Sequence, residues 1–271
     1  MASIADISVV KLGGSLLTDK ASECVFDLSA ALRLAGELAR AGGPVVLLHG
    51  TGSFGKPPAR RHGFADGFLP SGKASVVSEV ESLLDDLRAR VMNALRAQGV
   101  VACGLNASAL FETDGGAICR CETWPIQLLV ERGLVAVISG ALVVDRSRGF
   151  AVCSSDAIAA TVAARLGARR LLFATDTPGV MHREGGEERL LPELTEAWGD
   201  TVARPEDDVS GGMDGKVRAG FEAARAGVPT FILDGRVPGR LLQALRGEEV
   251  PGTWLRPSGG LASKETRECA A

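Results

Sequence analysis

The sequence is short of several things that would point to particular partners. It has no basic excess: 30 Lys and Arg stand against 33 Asp and Glu, a formal net charge of −3. With no positive surplus and no block of like charge, nucleic acid is not an expected partner. No uninterrupted apolar run reaches the roughly 18 residues that span a bilayer, so no membrane passage is expected. The first residues lack a charged segment followed by an apolar one, and no secretory signal is read there. Three histidines leave little material for a histidine-built metal centre. The cysteines Cys24, Cys103, Cys119, Cys121, Cys153 and Cys269 include no CxxC pair. Cys119 and Cys121 are too close for a zinc knuckle and have no partners at ligand spacing. Reduced thiols in the cytoplasm are the expectation. No internal repeat is visible.

What remains is an ordinary globular composition, 46% hydrophobic and 23% charged over 271 residues, enough to bury a substantial core. Short apolar runs alternate with amphipathic ones. "ISVVKL", "PVVLLHG", "VVACGL", "LVAVISGALVV", "RRLLFATD" and "VPTFILDG" are apolar on both faces, as the buried strands of a mainly parallel sheet are. Between them, "DLSAALRLAGELARAGG" opens on the N-cap candidate Asp27 and closes on Gly42 and Gly43, a helix start and stop. A long helix is predicted from Lys73 to Gly99. "SSDAIAATVAARLG" and "DGKVRAGFEAARAG" carry the same punctuation. This βαβα order predicts an α/β sandwich with helices on both faces of the sheet. One domain over residues 1–257 is expected, followed by a small polar tail, 258–271, that frays.

Glycine falls repeatedly just after a strand: "KLGGS", "HGTGSFGK", "SGALVVD" and "ATDTPGV". Ligands of parallel α/β sheets bind beyond the carboxyl ends of the strands, where glycine lets backbone amides approach an anion. Two nucleotide motifs are excluded. GxxxxGK[ST] is absent, because Val217 follows Gly215-Lys216 where a hydroxyl is needed. Gly50, Gly52 and Gly55 match the dinucleotide spacing, yet the acidic residue some 20 positions on is missing, and residues 66–73 form a Gly/Pro loop.

"VVKLGGSLLTDK", "HGTGSFGKPPA", "CSSDAIA", "FATDTPGV" and "DVSGGMDGKV", in this order and spacing, resemble the amino acid kinase superfamily. Within it the chain is most similar to isopentenyl phosphate kinases and the related fosfomycin-resistance kinases, over about residues 7–256. The resemblance implies an αβα sandwich, an acceptor bound by the N-terminal half, ATP bound by the C-terminal half, and a homodimer. By resemblance Lys11 contacts the transferring phosphoryl group, Gly13, Gly14 and Ser15 lend it donors, and Lys20 reaches the γ-phosphate. Gly50, Thr51, Gly52, Ser53 and Gly55 form a second cradle on the acceptor side, with Ser139 and Gly140 beside it. Asp156 holds the catalytic lysines. Thr175, Asp176 and Gly179 belong to the nucleotide site, and Lys216, behind Gly211, Gly212 and Gly215, is the ATP-phosphate lysine. Physical chemistry agrees for Lys11: an ammonium leaving a buried strand is costly without an anion, and phosphoryl transfer asks for positive charge and positioning. Lys20 also reads as an exposed loop lysine, and Asp156 as a helix-start carboxylate favoured by the dipole. No carboxylate cluster suggests a protein cage for Mg²⁺, which is expected to ride on the nucleotide phosphates.

Two places depart from the pattern: "TDTPGV" replaces the usual acidic "TDVDGV" form, and the departure that matters most is Lys56. Lys56 follows "SFG", where isopentenyl phosphate kinases have a histidine that grips the acceptor's phosphate. A lysine is a longer point charge with three donors and suits a phosphate, carboxylate, sulfonate or phosphonate. His49, at a strand end, and His62, six residues beyond Lys56, do not take over that place. Three readings follow: a kinase of a small phosphate-like acceptor, a carboxylate kinase making an acyl phosphate, and a nucleotide-binding sensor without turnover.

Overall fold

"SVVKL" becomes the strand β1 (Ser8–Leu12), buried along its whole length, and its central place in the sheet decides what can lie beside it. The computed structural model describes residues 6–63, 74–184, 187–196 and 212–257. β1 pairs in parallel with β2 (Val45–His49) on one side and β9 (Arg170–Thr175) on the other. Outward from β2 come β6 (Val135–Ser139) and the edge strand β3 (Ala102–Leu105), and outward from β9 come β13 (Thr230–Asp234), β14 (Gly252–Arg256) and β12 (Glu193–Thr195). Every neighbouring pair in this eight-stranded sheet is parallel except β13 with β14.

Strand residues alternate between two faces, and two apolar clusters result. Val9, Val46, Leu48, Ile138, Leu171 and Phe173 face the helices α7 (Ser155–Leu166) and α8 (Gly212–Arg225), which contribute Ile158, Val162, Val217 and Phe221. Val10, Leu12, Leu47, Val137, Leu172 and Ala174 face α2 (Leu28–Ala41), α4 (Ala74–Ala97) and α9 (Arg240–Arg246). The outcome is the expected αβα sandwich with a mainly parallel central sheet. Helix punctuation follows the sequence as read. Asp27 accepts the Ala30 amide at the start of α2, and Ser154 accepts the Ala157 amide at the start of α7. α7 closes on Gly167 in the left-handed conformation, the usual glycine stop.

Two strand expectations need correction. "LVAVISGALVV" is not one strand: it breaks at Gly140 into β6 and β7 (Ala141–Asp145), and β7 joins a separate four-stranded sheet with β5 (Ala117–Cys121), β4 (Phe111–Asp114) and β8 (Gly149–Cys153). The Gly140 amide still donates to the His49 carbonyl, but a Cβ there would stand 3.2 Å from the Ser155 amide nitrogen, so the chain turns off against the start of α7. "VVACGL" is only half-buried, because β3 has a neighbour on one side. Smaller elements complete the described residues: α1 (Gly14–Leu17), α3 (Gly52–Arg61), α5 (Ala107–Leu110), α6 (Trp124–Glu131) and the β10 (Met181–Glu184)/β11 (Glu187–Leu190) hairpin. Gly211 and the tail 258–271 lie outside the described residues. β1, β2, β6, β9 and β13 all end at one edge of the sheet, and the glycine loops gather there.

Candidate active site

At that edge the loops after β1 and β2 meet backbone to backbone. A Cβ on Gly14 would lie 2.4 Å from the Gly52 nitrogen, and one on Gly50 would lie 2.5 Å from the Gly14 nitrogen. Gly52 adopts φ +49° and has no room for a side chain, since a Cβ would fall 2.0 Å from Thr18 Oγ1. These glycines serve loop-to-loop contact as well as any ligand. Thr18 stitches the seam: its hydroxyl donates to the Gly14 carbonyl (2.9 Å) and accepts from the Ser53 amide (3.0 Å). Sequence reasoning passed over Thr18, whose only signal is its place in "LLTDK".

The amides of the two loops are unequally placed. Gly13 donates to the Ala174 carbonyl (2.8 Å), extending the β1–β9 ladder, so its amide already has a protein acceptor. Gly14 and Ser15 are the first two residues of α1 and present amides without acceptors inside the helix. Gly50 and Gly140 donate to Leu12 and His49 carbonyls. Ser53 Oγ is buried and has no hydrogen-bond partner among the described residues, which suits a hydroxyl meant for a ligand. Gly55 lies against the Thr51 side chain, with no room for a Cβ. Lys56 follows one residue later on α3. Ser139 is buried at the end of β6, opposite His49.

Beneath the seam stands a buried triad. Lys11 from β1 and Lys216 from α8 both reach Asp156 Oδ1, at 2.8 and 3.0 Å. Lys11 and Lys216 are 5% exposed and Asp156 is 6% exposed. Asp156 lies in the first turn of α7, where the helix dipole favours a carboxylate; here it also joins two lysines from opposite ends of the chain. The Lys216 ammonium lies 5.2 Å from the centre of the Phe173 ring, a cation–π distance. Burial raises the Asp156 pKa, but Lys11 and Lys216 outweigh it and bring the value to about 2. Burial lowers the Lys11 pKa to about 8, with Asp156 opposing and Lys216 adding to the fall. Two ammoniums share one carboxylate, so the triad holds one positive charge in excess where charge is expensive to bury.

A second set lies at the end of β9. Thr175 is buried, and its hydroxyl donates to Asp176 Oδ1 (3.3 Å). Lys20 donates to Asp176 Oδ2. Burial raises the Asp176 pKa, but hydrogen bonds from Lys20 and Ser15 carry it below the usual carboxylate value. Gly179 stands apart from this set: it packs against Thr253 and Leu190, where a Cβ would come within 2.7 Å of both side chains. Gly212 opens α8 one turn before Lys216. His49 is fully buried, its pKa held down to about 4 by burial, so the imidazole is neutral and its Nδ1–H donates to the Gly50 carbonyl (3.2 Å). Among the described residues no three His, Cys, Asp or Glu side chains converge as a metal cage would.

Comparison with known proteins bears on this geometry. The model of the amino acid kinase family matches residues 6–234. An isopentenyl phosphate kinase of Methanothermobacter thermautotrophicus is 32% identical, covering 90% of this chain and 97% of its own. An acetylglutamate kinase of Campylobacter curvus is 29% identical, covering 92% of this chain and 91% of its own. Among solved structures, an isopentenyl phosphate kinase superposes with a TM-score of 0.82 at 30% identity, covering 92% of this chain and 99% of that one.

Proposed function

Because the chain belongs to the amino acid kinase family, we propose that it moves the γ-phosphoryl group of ATP to a small phosphate or phosphonate acceptor. The observation that carries this reading is the excess positive charge of the Lys11–Asp156–Lys216 triad. A buried surplus cation is stabilised by an arriving anion, and a phosphoryl group in transfer supplies one. In the reaction the acceptor oxygen forms a bond to the γ-phosphorus, the bond to the bridging oxygen breaks, and ADP leaves. Lys11 stabilises the charge on the moving group, Lys216 holds the nucleotide phosphates, and Asp156 fixes the spacing of both ammoniums. Gly14 and Ser15 amides add donors. Lys20 is drawn from Asp176 to the γ-phosphate. On the acceptor side the Gly52 loop, the Ser53 hydroxyl and Lys56 take the acceptor's anionic group.

Mg²⁺ accompanies the nucleotide in this reading and neutralises phosphate charge; with no protein cage among the described residues, its ligands come chiefly from the phosphates. We assign the N-terminal half to the acceptor and the C-terminal half to ATP, within one domain spanning residues 1–257. A homodimer and a cytoplasmic location belong to the same proposal. Two observations accompany them: among the described residues β3 has a strand partner on one side only and is preceded by exposed Val101, and no described helix is long and apolar enough to cross a membrane. Sedimentation tests the dimer.

A carboxylate acceptor is the second reading, favoured by the acetylglutamate kinase relatives and by a lysine at position 56. ADP release measured over a panel of small phosphates, phosphonates and carboxylates tests turnover and ranks acceptors. Trapping with hydroxylamine separates the readings: a hydroxamate marks an acyl phosphate, and no hydroxamate with full ADP release marks a phosphate product. No ADP release with any acceptor would leave a nucleotide sensor instead.

A further inference from the structure

The end of β13 carries charged residues that none of the roles above uses. Asp234 is the last residue of the strand, opposite Thr175 of β9, and is 4% exposed. It grips Arg236 in a fork: Nε lies 3.0 Å from Oδ1 and Nη2 lies 2.7 Å from Oδ2. The Arg236 amide donates to Oδ1 as well (2.9 Å). A two-point fork fixes the plane of a guanidinium. Of its five N–H donors Asp234 takes two, and the other three have no protein acceptor among the described residues.

The turn that presents Arg236 is pinned to the site. The Gly235 amide donates to the Thr175 carbonyl (2.8 Å). Its Cα is wedged against Leu16 and Ala174, and its carbonyl accepts from Arg33 (2.7 Å). Arg236 is thereby held beside the turn of Asp176, the carboxylate that binds Lys20. The fork with Asp234 keeps the guanidinium firmly protonated, and the field of Asp176 adds to this. Asp234 is buried while the Arg236 side chain is 57% exposed, so the anchor sits inside and the free donors lie at the rim. Exposed Arg–carboxylate pairs contribute little to stability. A buried anchor carrying a guanidinium with donors to spare is better explained by a ligand with paired anionic oxygens to offer, as a phosphate has.

We propose that Arg236 is a further nucleotide-positioning residue: with Lys20 it forms an outer cationic pair that takes the polyphosphate chain, while Lys11 and Lys216 serve the transferring group. Asp234 acts through Arg236 by fixing its plane. The inference rests on the kinase reading and deepens it.

The test is calorimetric titration of the full chain with AMP-PNP and Mg²⁺, and with adenosine by competition. Arg236→Gln is expected to weaken AMP-PNP binding about ten- to a hundredfold, the range for a lost charge-assisted hydrogen bond. Adenosine, which has no phosphate, is expected to bind unchanged, and Arg236→Lys to recover part of the loss. A folded Arg236→Gln variant with wild-type AMP-PNP affinity overturns the proposal, and so does an equal loss for adenosine, which marks a purely structural role. Lys216→Ala separates the two levels of inference. If it weakens AMP-PNP while Arg236→Gln does not, the kinase reading stands and Arg236 falls. If the wild-type chain binds neither nucleotide, the kinase reading itself falls.

Discussion

Removing the Lys11 ammonium takes away one of the two positive charges that share Asp156. Lys11→Ala is expected to lower kcat about 10²- to 10³-fold, the usual loss for one electrostatic contact to a transition state, with a smaller change in ATP binding. Lys216→Ala is expected to raise the KM for ATP instead. Steady-state kinetics decide both, and an unchanged kcat in folded Lys11→Ala removes Lys11 from the chemistry. The depressed Lys11 pKa, about 8 through burial, gives activity and stability opposite slopes. The unfolded chain holds the Lys11 proton up to about pH 10.5, so between pH 8 and 10.5 it binds more protons than the native state. Stability contributed by this group therefore rises with pH through that window, while kcat/KM for ATP falls as the charge is lost. Urea titrations and kinetics at matched pH read the two slopes; parallel slopes would refute the assignment. Lys56→His is the specificity experiment. If the natural acceptor is not isopentenyl phosphate, the swap is expected to raise activity on isopentenyl phosphate and lower it on the true acceptor. An unchanged acceptor ranking would remove Lys56 from recognition.

Among the elements, the loops after β1 and β2 tolerate least. Gly14→Ala places a Cβ 2.4 Å from the Gly52 nitrogen, and because the neighbour is backbone the loops must separate. A lowered Tm together with weakened binding of both substrates is expected, measurable by thermal denaturation and titration. Ser154→Ala removes only the cap of α7 and is expected to cost about 1 kcal/mol, with Asp156 still in place. Caps such as Asp27 and Ser154 were legible in the sequence because they depend on residues a few positions apart. Buried strands were legible because two covered faces require unbroken apolar runs. The break at Gly140 was not, since its cause is the start of α7 packing against that position, and a glycine inside an apolar run gives no sign of it. Lys11, Asp156 and Lys216 stood out through the motifs that hold them, but no local pattern says that one carboxylate oxygen serves both lysines, one of them 60 positions away. Thr18 was missed for the same reason, since the Ser53 amide it accepts from comes from another segment; Arg236 has its partner Asp234 two positions away, but nothing local says that this carboxylate is buried beside Thr175.

At the scale of the whole molecule, binding should show as stability. A ligand at a hundred times its Kd adds about 2.7 kcal/mol to the native state, which for a chain of this size raises Tm by roughly 5–10 °C. Thermal scans with AMP-PNP are expected to show this rise for the wild type and to lose most of it for Lys216→Ala at the same concentration. The glycine seam has a further consequence. In the proposed reading Gly14 belongs to the loop facing the moving phosphoryl group and Gly52 to the loop facing the acceptor, and the two loops touch backbone to backbone with Thr18 bonded to both. Whatever shifts one loop by a few tenths of an ångström must shift the other. Donor and acceptor are then thermodynamically linked: each changes the other's affinity by the same factor, so the order of addition leaves the ternary complex equally stable but alters how tightly each partner is held on the way there.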